Sequence, residues 1–181
     1  MGKMTEMNVR PNLLDKRKKQ RIPLSRLRKS DAVKVVSKFP RRLEELLHLL
    51  EDRDRRMRDL AAATLAQFVS MHPSRLLRFL PRLQESMTDE SAYVRWHLVY
   101  TVGTLCALFP RRLRYVVPDL QVRLEDSNKI VRILASKALA RIAFRNPDVV
   151  EGLFRNIGKE APGIVGEVLR GSGSIAESRK T

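Results

Sequence analysis

The sequence predicts an all-α protein, a short stack of helical hairpins, and three observations predict it. Of its 181 residues 43% are hydrophobic, enough to bury a core, while only eight are glycine and β-branched clusters are few, which argues against a sandwich or barrel. A repeat of 37 residues runs through the chain. Within each copy apolar residues recur at three- and four-residue steps, the period of a helix with one buried stripe.

The repeat is read from residues held in one register. Asp52, Asp89 and Asp126 are spaced by 37 and 37, as are Arg58, Arg95 and Arg132, and Pro73, Pro110 and Pro147. Pro81 and Pro118 keep the same phase, and so do Arg75 with Arg112, Leu83 with Leu120 and Val94 with Val131. Each unit divides into two helical patterns. The first is expected from Pro73 to about Met87, with Leu76, Leu77, Leu80, Leu83 and Met87 on one face. A proline suits its first position, where the N–H has no intrahelical partner. The second is expected from about Ser91 to Leu108, with Val94, Leu98, Thr101, Val102 and Leu105 inward. Small residues in equivalent helices, among them Ala61, Thr64, Ala135 and Ala138, let neighbouring helices approach closely.

A hairpin of this size cannot bury both faces alone and must stack on its copies. The mid-first-helix prolines Pro81 and Pro118, the turn aspartates Asp52, Asp89 and Asp126, and the arginines six residues later make the chain resemble the HEAT-repeat family. That resemblance implies a short right-handed α-solenoid, here three repeats between terminal cap helices. It also implies a structural ladder of hydrogen bonds between successive repeats, formed by Asp52, Arg58, Asp89, Arg95, Asp126 and Arg132. The expected organisation is a basic arm over residues 1–29 and a repeat domain over 30–170, followed by a flexible Gly-Ser tail over 171–181. Within the domain a cap at 30–39, started by Ser30 as N-cap, precedes repeats at 40–72, 73–109 and 110–146. Repeat 1 lacks four residues of its first helix and carries Glu44 at the proline position. Gly163 and Leu169 fall where the next aspartate and arginine belong, so 147–170 reads as a degraded cap.

Charge supplies the functional clue. The chain carries a formal +16, half of it in the first 30 residues, where Pro11 and Pro23 and the lack of a sustained period argue against independent folding. Lys16, Arg17, Lys18, Lys19 and Arg21 form the densest run of that arm. In the body, Arg41, Arg42, Arg75, Arg111, Arg112 and Arg114 fall in the first turn of successive first helices. There the helix macrodipole and free N–H groups favour anions. Stacking should align these residues along one edge at helix spacings of roughly 10 Å. The competing reading is a solvated rim neutralised by Glu44, Glu45, Asp59 and Glu85.

Chemistry has little to work with. The sequence has no glycine-rich phosphate loop, and His48, His72 and His97 lie far apart with no metal-ligand spacing, so neither a metal nor a cofactor is expected. Cys106, the single cysteine, sits among apolar residues as an inert thiol, and its solitude suits a reducing, cytoplasmic compartment, or a nuclear one in a eukaryote. Neither a signal peptide nor a membrane span is expected. Some members of the family it resembles are DNA glycosylases that use tryptophans and an aspartate. This chain has one tryptophan, Trp96, read more readily as packed than as a contact, and no acid between Ser91 and Leu108, so no catalytic residue is expected.

The expected function is non-catalytic binding of a DNA or RNA phosphate backbone through the arginine edge and the arm, with little sequence preference. The alternative is a protein-interaction scaffold docking an acidic protein. Base readout is not expected, because neither a recognition helix nor stacking aromatics are apparent in the pattern.

Overall fold

The computed structural model describes residues 22–146, and every regular element among them is helical. In chain order the α-helices are α1 (Lys29–Lys38), α2 (Leu43–Leu50), α3 (Arg55–Met71), α4 (Leu80–Glu85), α5 (Ala92–Leu108), α6 (Val117–Val122) and α7 (Lys129–Arg145). The expectations for the terminal cap at 147–170, the tail at 171–181 and most of the basic arm fall outside the described residues.

α3, α5 and α7 are each 17 residues long and begin at 37-residue steps. The turn before each explains this. Oδ1 of Asp52, Asp89 and Asp126 accepts the backbone N–H two residues on, from Asp54, Ser91 and Asn128, at 2.7–2.8 Å. Such side-chain-to-backbone bonds fix a turn. They deliver Asp54, Ser91 and Asn128 to the N-cap position, a fourth element of the repeat. Asp54 and Asn128 cap with their side chains, accepting the N–H of Arg56 at 2.8 Å and of Ile130 at 2.9 Å. Ser91 instead donates its hydroxyl to Asp59 at 3.0 Å, tying α5 to α3.

The first helices correct the sequence reading. Pro73 to Met87 is a 3-10 stretch (Pro73–Phe79), then α4, then a 3-10 turn (Ser86–Thr88). Repeat 3 likewise runs from a 3-10 turn (Arg114–Val116) through α6 to another (Arg123–Glu125). Proline explains the break, since a helix running through it would lose a hydrogen bond and crowd the carbonyl four residues earlier. Pro81 and Pro118 therefore sit at the start of fresh α segments, where the missing N–H costs nothing. The four residues absent from repeat 1 come out of this entry, a three-residue 3-10 turn (Pro40–Arg42) instead of seven residues. α1 also differs from expectation, starting at Lys29 with Arg28 in the cap position and no side-chain cap bond, so Ser30 lies inside the helix.

α1 packs on α3, α3 on α5 and α5 on α7, and α2, α4 and α6 lie against α3, α5 and α7. One apolar core runs through the row, including Leu46, Leu65, Leu83, Leu98 and Val131. α5 is enclosed on most sides, with Leu98, Val99, Val102, Leu105 and Cys106 wholly buried. Gly103 permits the close approach of α5 and α7, because a methyl there would overlap Cβ of Ala138. No helix among the described residues is long and apolar enough to cross a membrane.

Arginine forks join successive repeats. Arg95 Nε and Nη2 each donate to the Asp126 carboxylate at 2.8 Å, while Nη1 donates to the carbonyls of Asp89 and Glu90 at 2.9 and 3.0 Å. Arg58 does the same one repeat earlier, to Asp89 at 2.8 Å, Glu90 at 2.6 Å and the carbonyls of Asp52 and Arg53 at 3.0 and 3.1 Å. The carboxylate that one arginine binds thus belongs to the turn whose carbonyls the next arginine binds. Arg132 binds its own turn, the carbonyls of Asp126 and Ser127 at 2.7 and 3.1 Å, and meets no carboxylate among the described residues. Asp52 stands at the other end, its carboxylate holding its turn without an arginine among those residues.

Candidate functional site

The entry turns gather exposed arginines. Arg75 and Arg78 on the Pro73–Phe79 stretch and Arg112 in the turn before α6 line one groove of about 350 Å³. Pro40, Leu43 and Leu77 supply its apolar wall, Ser74 adds a hydroxyl, and no carboxylate among the described residues lines it. Arg75 donates to the Ser37 carbonyl at 3.3 Å, which leans it toward α1. The Arg78 guanidinium lies 4.4 Å from the Phe79 ring centroid, a cation–π contact, and forms no ion pair with a described residue. Arg41, Arg111, Arg112 and Arg114 are exposed and form no ion pair with a described residue.

Arg42 departs from this set. It donates through Nε to Glu45 at 2.8 Å and through Nη2 to the Ile22 carbonyl at 2.7 Å, with 15% of its side chain exposed. Glu45 also accepts the N–H of Leu24 at 2.6 Å, and Leu24 is fully buried. Arg42 is therefore an anchor for the chain arriving from the N-terminal side, and it is not available to a ligand. Lys16, Arg17, Lys18, Lys19 and Arg21 lie outside the described residues.

Helix macrodipoles contribute little at this edge. The edge arginines sit on 3-10 and turn segments, and α4 and α6 have six residues each, too short to present a strong helix N-terminus. Anion affinity at this edge must come from the guanidinium groups themselves, whose planar forks match phosphate and carboxylate oxygens. Of the acids that might neutralise the rim, only Glu45 reaches an edge arginine, Arg42. Glu44 pairs with Arg82, as does Glu51, and Asp59 pairs with Arg55 at 3.6 Å. Arg82 holds the Glu51 carboxyl below its ordinary range by donating to it, against the opposing effect of burial.

A second surface was not apparent in the sequence. Because α5 is enclosed by its neighbours, one narrow strip of it faces outward, and that strip carries Tyr93, Trp96 and Tyr100. Tyr93 meets Trp96 edge to face at 5.3 Å, and Trp96 stacks on His97 at 3.7 Å. The Tyr100 hydroxyl lies 3.3 Å from Ser70 Oγ across to α3. Next to the strip, Tyr100, Thr104, Lys137 and Arg141 line a groove of about 110 Å³ between α5 and α7. The signal was present as an i, i+3, i+7 spacing of aromatics lying between the inward positions of α5.

Other reactive groups are enclosed. Burial, with help from the charge of Asp119, pushes the Cys106 thiol up to about 12, so it is not a thiolate near neutral pH. Burial lowers the His97 pKa, and its Nδ1 lies 2.8 Å from the Tyr93 carbonyl. Among the described residues no group of three or more His, Cys, Asp or Glu side chains is placed to hold a metal ion. Comparison with models of known protein families, with curated proteins and with solved structures finds no match to this chain.

Proposed function

We propose that this chain is a non-catalytic binding protein, a short right-handed α-solenoid of HEAT-like hairpins whose arginine edge holds a nucleic-acid phosphate backbone with little sequence preference. The observation that carries the reading is the convergence of Arg75, Arg78 and Arg112 on one groove that no carboxylate among the described residues lines. Gathering like charges without acids costs free energy that a bound polyanion returns. Arg42, between the groove residues Pro40 and Leu43, holds the Ile22 carbonyl, which brings the described end of the expected basic arm beside the same edge. A stack of this size spans roughly 30–40 Å, about ten base pairs at 3.4 Å each.

The apolar wall of the groove, formed by Pro40, Leu43 and Leu77, favours a second reading, a scaffold that docks an acidic protein segment by burying one of its side chains. Salt separates the two. A backbone binder loses affinity log-linearly with salt, with a slope of about −0.9 per phosphate neutralised. The expected result with labelled duplex DNA or RNA is such a slope, reduced by about two units in the double variant Arg75→Glu, Arg112→Glu. An unchanged slope in that variant removes the edge from the reading, and no duplex binding near physiological salt transfers it to the acidic protein.

A further inference from the structure

The outward strip of α5 and the cations beside it ask for a ligand of their own. The helices α1, α3, α5 and α7 together carry twelve lysines and arginines and two carboxylates, Asp31 and Asp59. Asp59 is already engaged by Arg55 and the Ser91 hydroxyl. α5 and α7 carry no acid at all. Tyr93 is 37% exposed, and Trp96 and Tyr100 are half-buried, held by packing and by the Ser70 contact, so the rings are fixed and not free rotors. Lys137 and Arg141 stand one helical turn apart on α7, across the groove from Tyr100, with no acid partner among the described residues. Lys34 and Lys38 line a separate groove of about 560 Å³ between α1 and α3.

Rigid aromatic faces beside cations that no described acid pairs fit one chemistry better than others. An acidic protein segment would use the cations and leave the rings idle, and a closed duplex keeps its base faces stacked inside. Unpaired nucleotides use both, stacking bases on the rings while their phosphates meet the cations. We infer that the outward strip of α5, with Lys137 and Arg141, binds a single-stranded nucleic-acid segment by stacking its bases on Tyr93, Trp96 and Tyr100. This inference rests on the nucleic-acid reading above and adds to it a second surface and a substrate class, unpaired bases. The contact is sequence-tolerant, because every base offers a π face.

Trp96 is the single tryptophan of the chain, so its emission reports on the strip alone. The full chain is titrated with oligo-dT, with an abasic oligonucleotide of equal length and with duplex DNA, following Trp96 emission and, with labelled strands, anisotropy. Oligo-dT is expected to quench Trp96, and the abasic strand, which loses stacking on all three rings, to bind at least about a hundredfold more weakly without quenching. Trp96→Leu is expected to weaken oligo-dT binding about tenfold while leaving duplex binding in place. Equal behaviour of oligo-dT and the abasic strand, or oligo-dT binding without an emission change, overturns the strip while sparing the arginine edge. Failure of all three nucleic acids to bind overturns both readings together.

Discussion

Arg95 and Arg112 lie 17 residues apart, carry the same guanidinium and meet opposite surroundings. Arg95 is 12% exposed in its side chain and spends its donors on the Asp126 carboxylate and two carbonyls of its own turn. Arg112 is exposed beside Arg75 and Arg78, with no carboxylate among the described residues in the groove they line. The first kind of arginine is already neutralised and serves the fold, while the second kind has its charge left over for something outside the fold. A net charge of +16 does not distinguish them, but position within the repeat does.

The largest effect expected from this contrast is on stability. Arg95→Ala leaves the Asp126 carboxylate, 4% exposed, without its fork and should lower the unfolding free energy by about 3–5 kcal/mol in a denaturant titration. Arg132→Ala removes bonds to two carbonyls but orphans no described carboxylate, so about 1 kcal/mol is expected. Equal losses in the two variants break the distinction between a closed rung and an open one.

A smaller effect lies in pH. Burial tends to raise the Asp126 pKa, but the bonds from Arg95 and the Asn128 N–H, with the charges of Arg95 and Arg123, outweigh it and set the pKa below the ordinary 3.8. A depressed carboxylate contributes stability that is fully present above its unfolded value and is lost as pH falls through its folded value. Thermal melts of the native chain should therefore weaken as pH drops below about 4, with Asp126→Asn, less stable at neutral pH, flatter through that window. A variant whose acid limb matches that of the native chain assigns the loss to other carboxylates. The smallest expected change sharpens the other side of the comparison. Arg75→Glu with Arg112→Glu should leave unfolding within about 0.5 kcal/mol of the native chain, since neither closes a rung, and a large loss there would make the edge structural.

Spacing made the repeat and its Asp and Arg positions legible before any coordinates, because a turn fixed by Asp and a helix of constant length leave a periodic trace. The N-caps Asp54, Ser91 and Asn128 share that trace and escaped notice, since they are three different residue types doing one job. The first helices were misjudged because Pro81 and Pro118 read equally well as interruptions of a helix and as its beginning. Arg42 looked like its neighbours, although Glu45 three residues on was the local sign that it would be engaged. Arg78 lies past the first turn, so the pattern of basic residues at helix starts does not include it. The aromatic strip was hidden for a different reason. α5 is so thoroughly enclosed that its apolar pattern runs nearly all round, and only knowledge of its neighbours separates Tyr93, Trp96 and Tyr100 from the core.

The way each fork grips both its own turn and the next has a consequence for how such a chain can change. Every rung presents the same two halves, an arginine looking forward and an aspartate looking back, and α3, α5 and α7 repeat their boundaries at a constant 37 residues. A whole unit can therefore be duplicated in the interior and the new neighbours will still find matching arginine and aspartate halves, whereas gaining a single residue in a turn uncouples an arginine from its aspartate. Length here is a quantity that evolution or an engineer can extend in whole modules, with 73–109 as the cassette that can be copied.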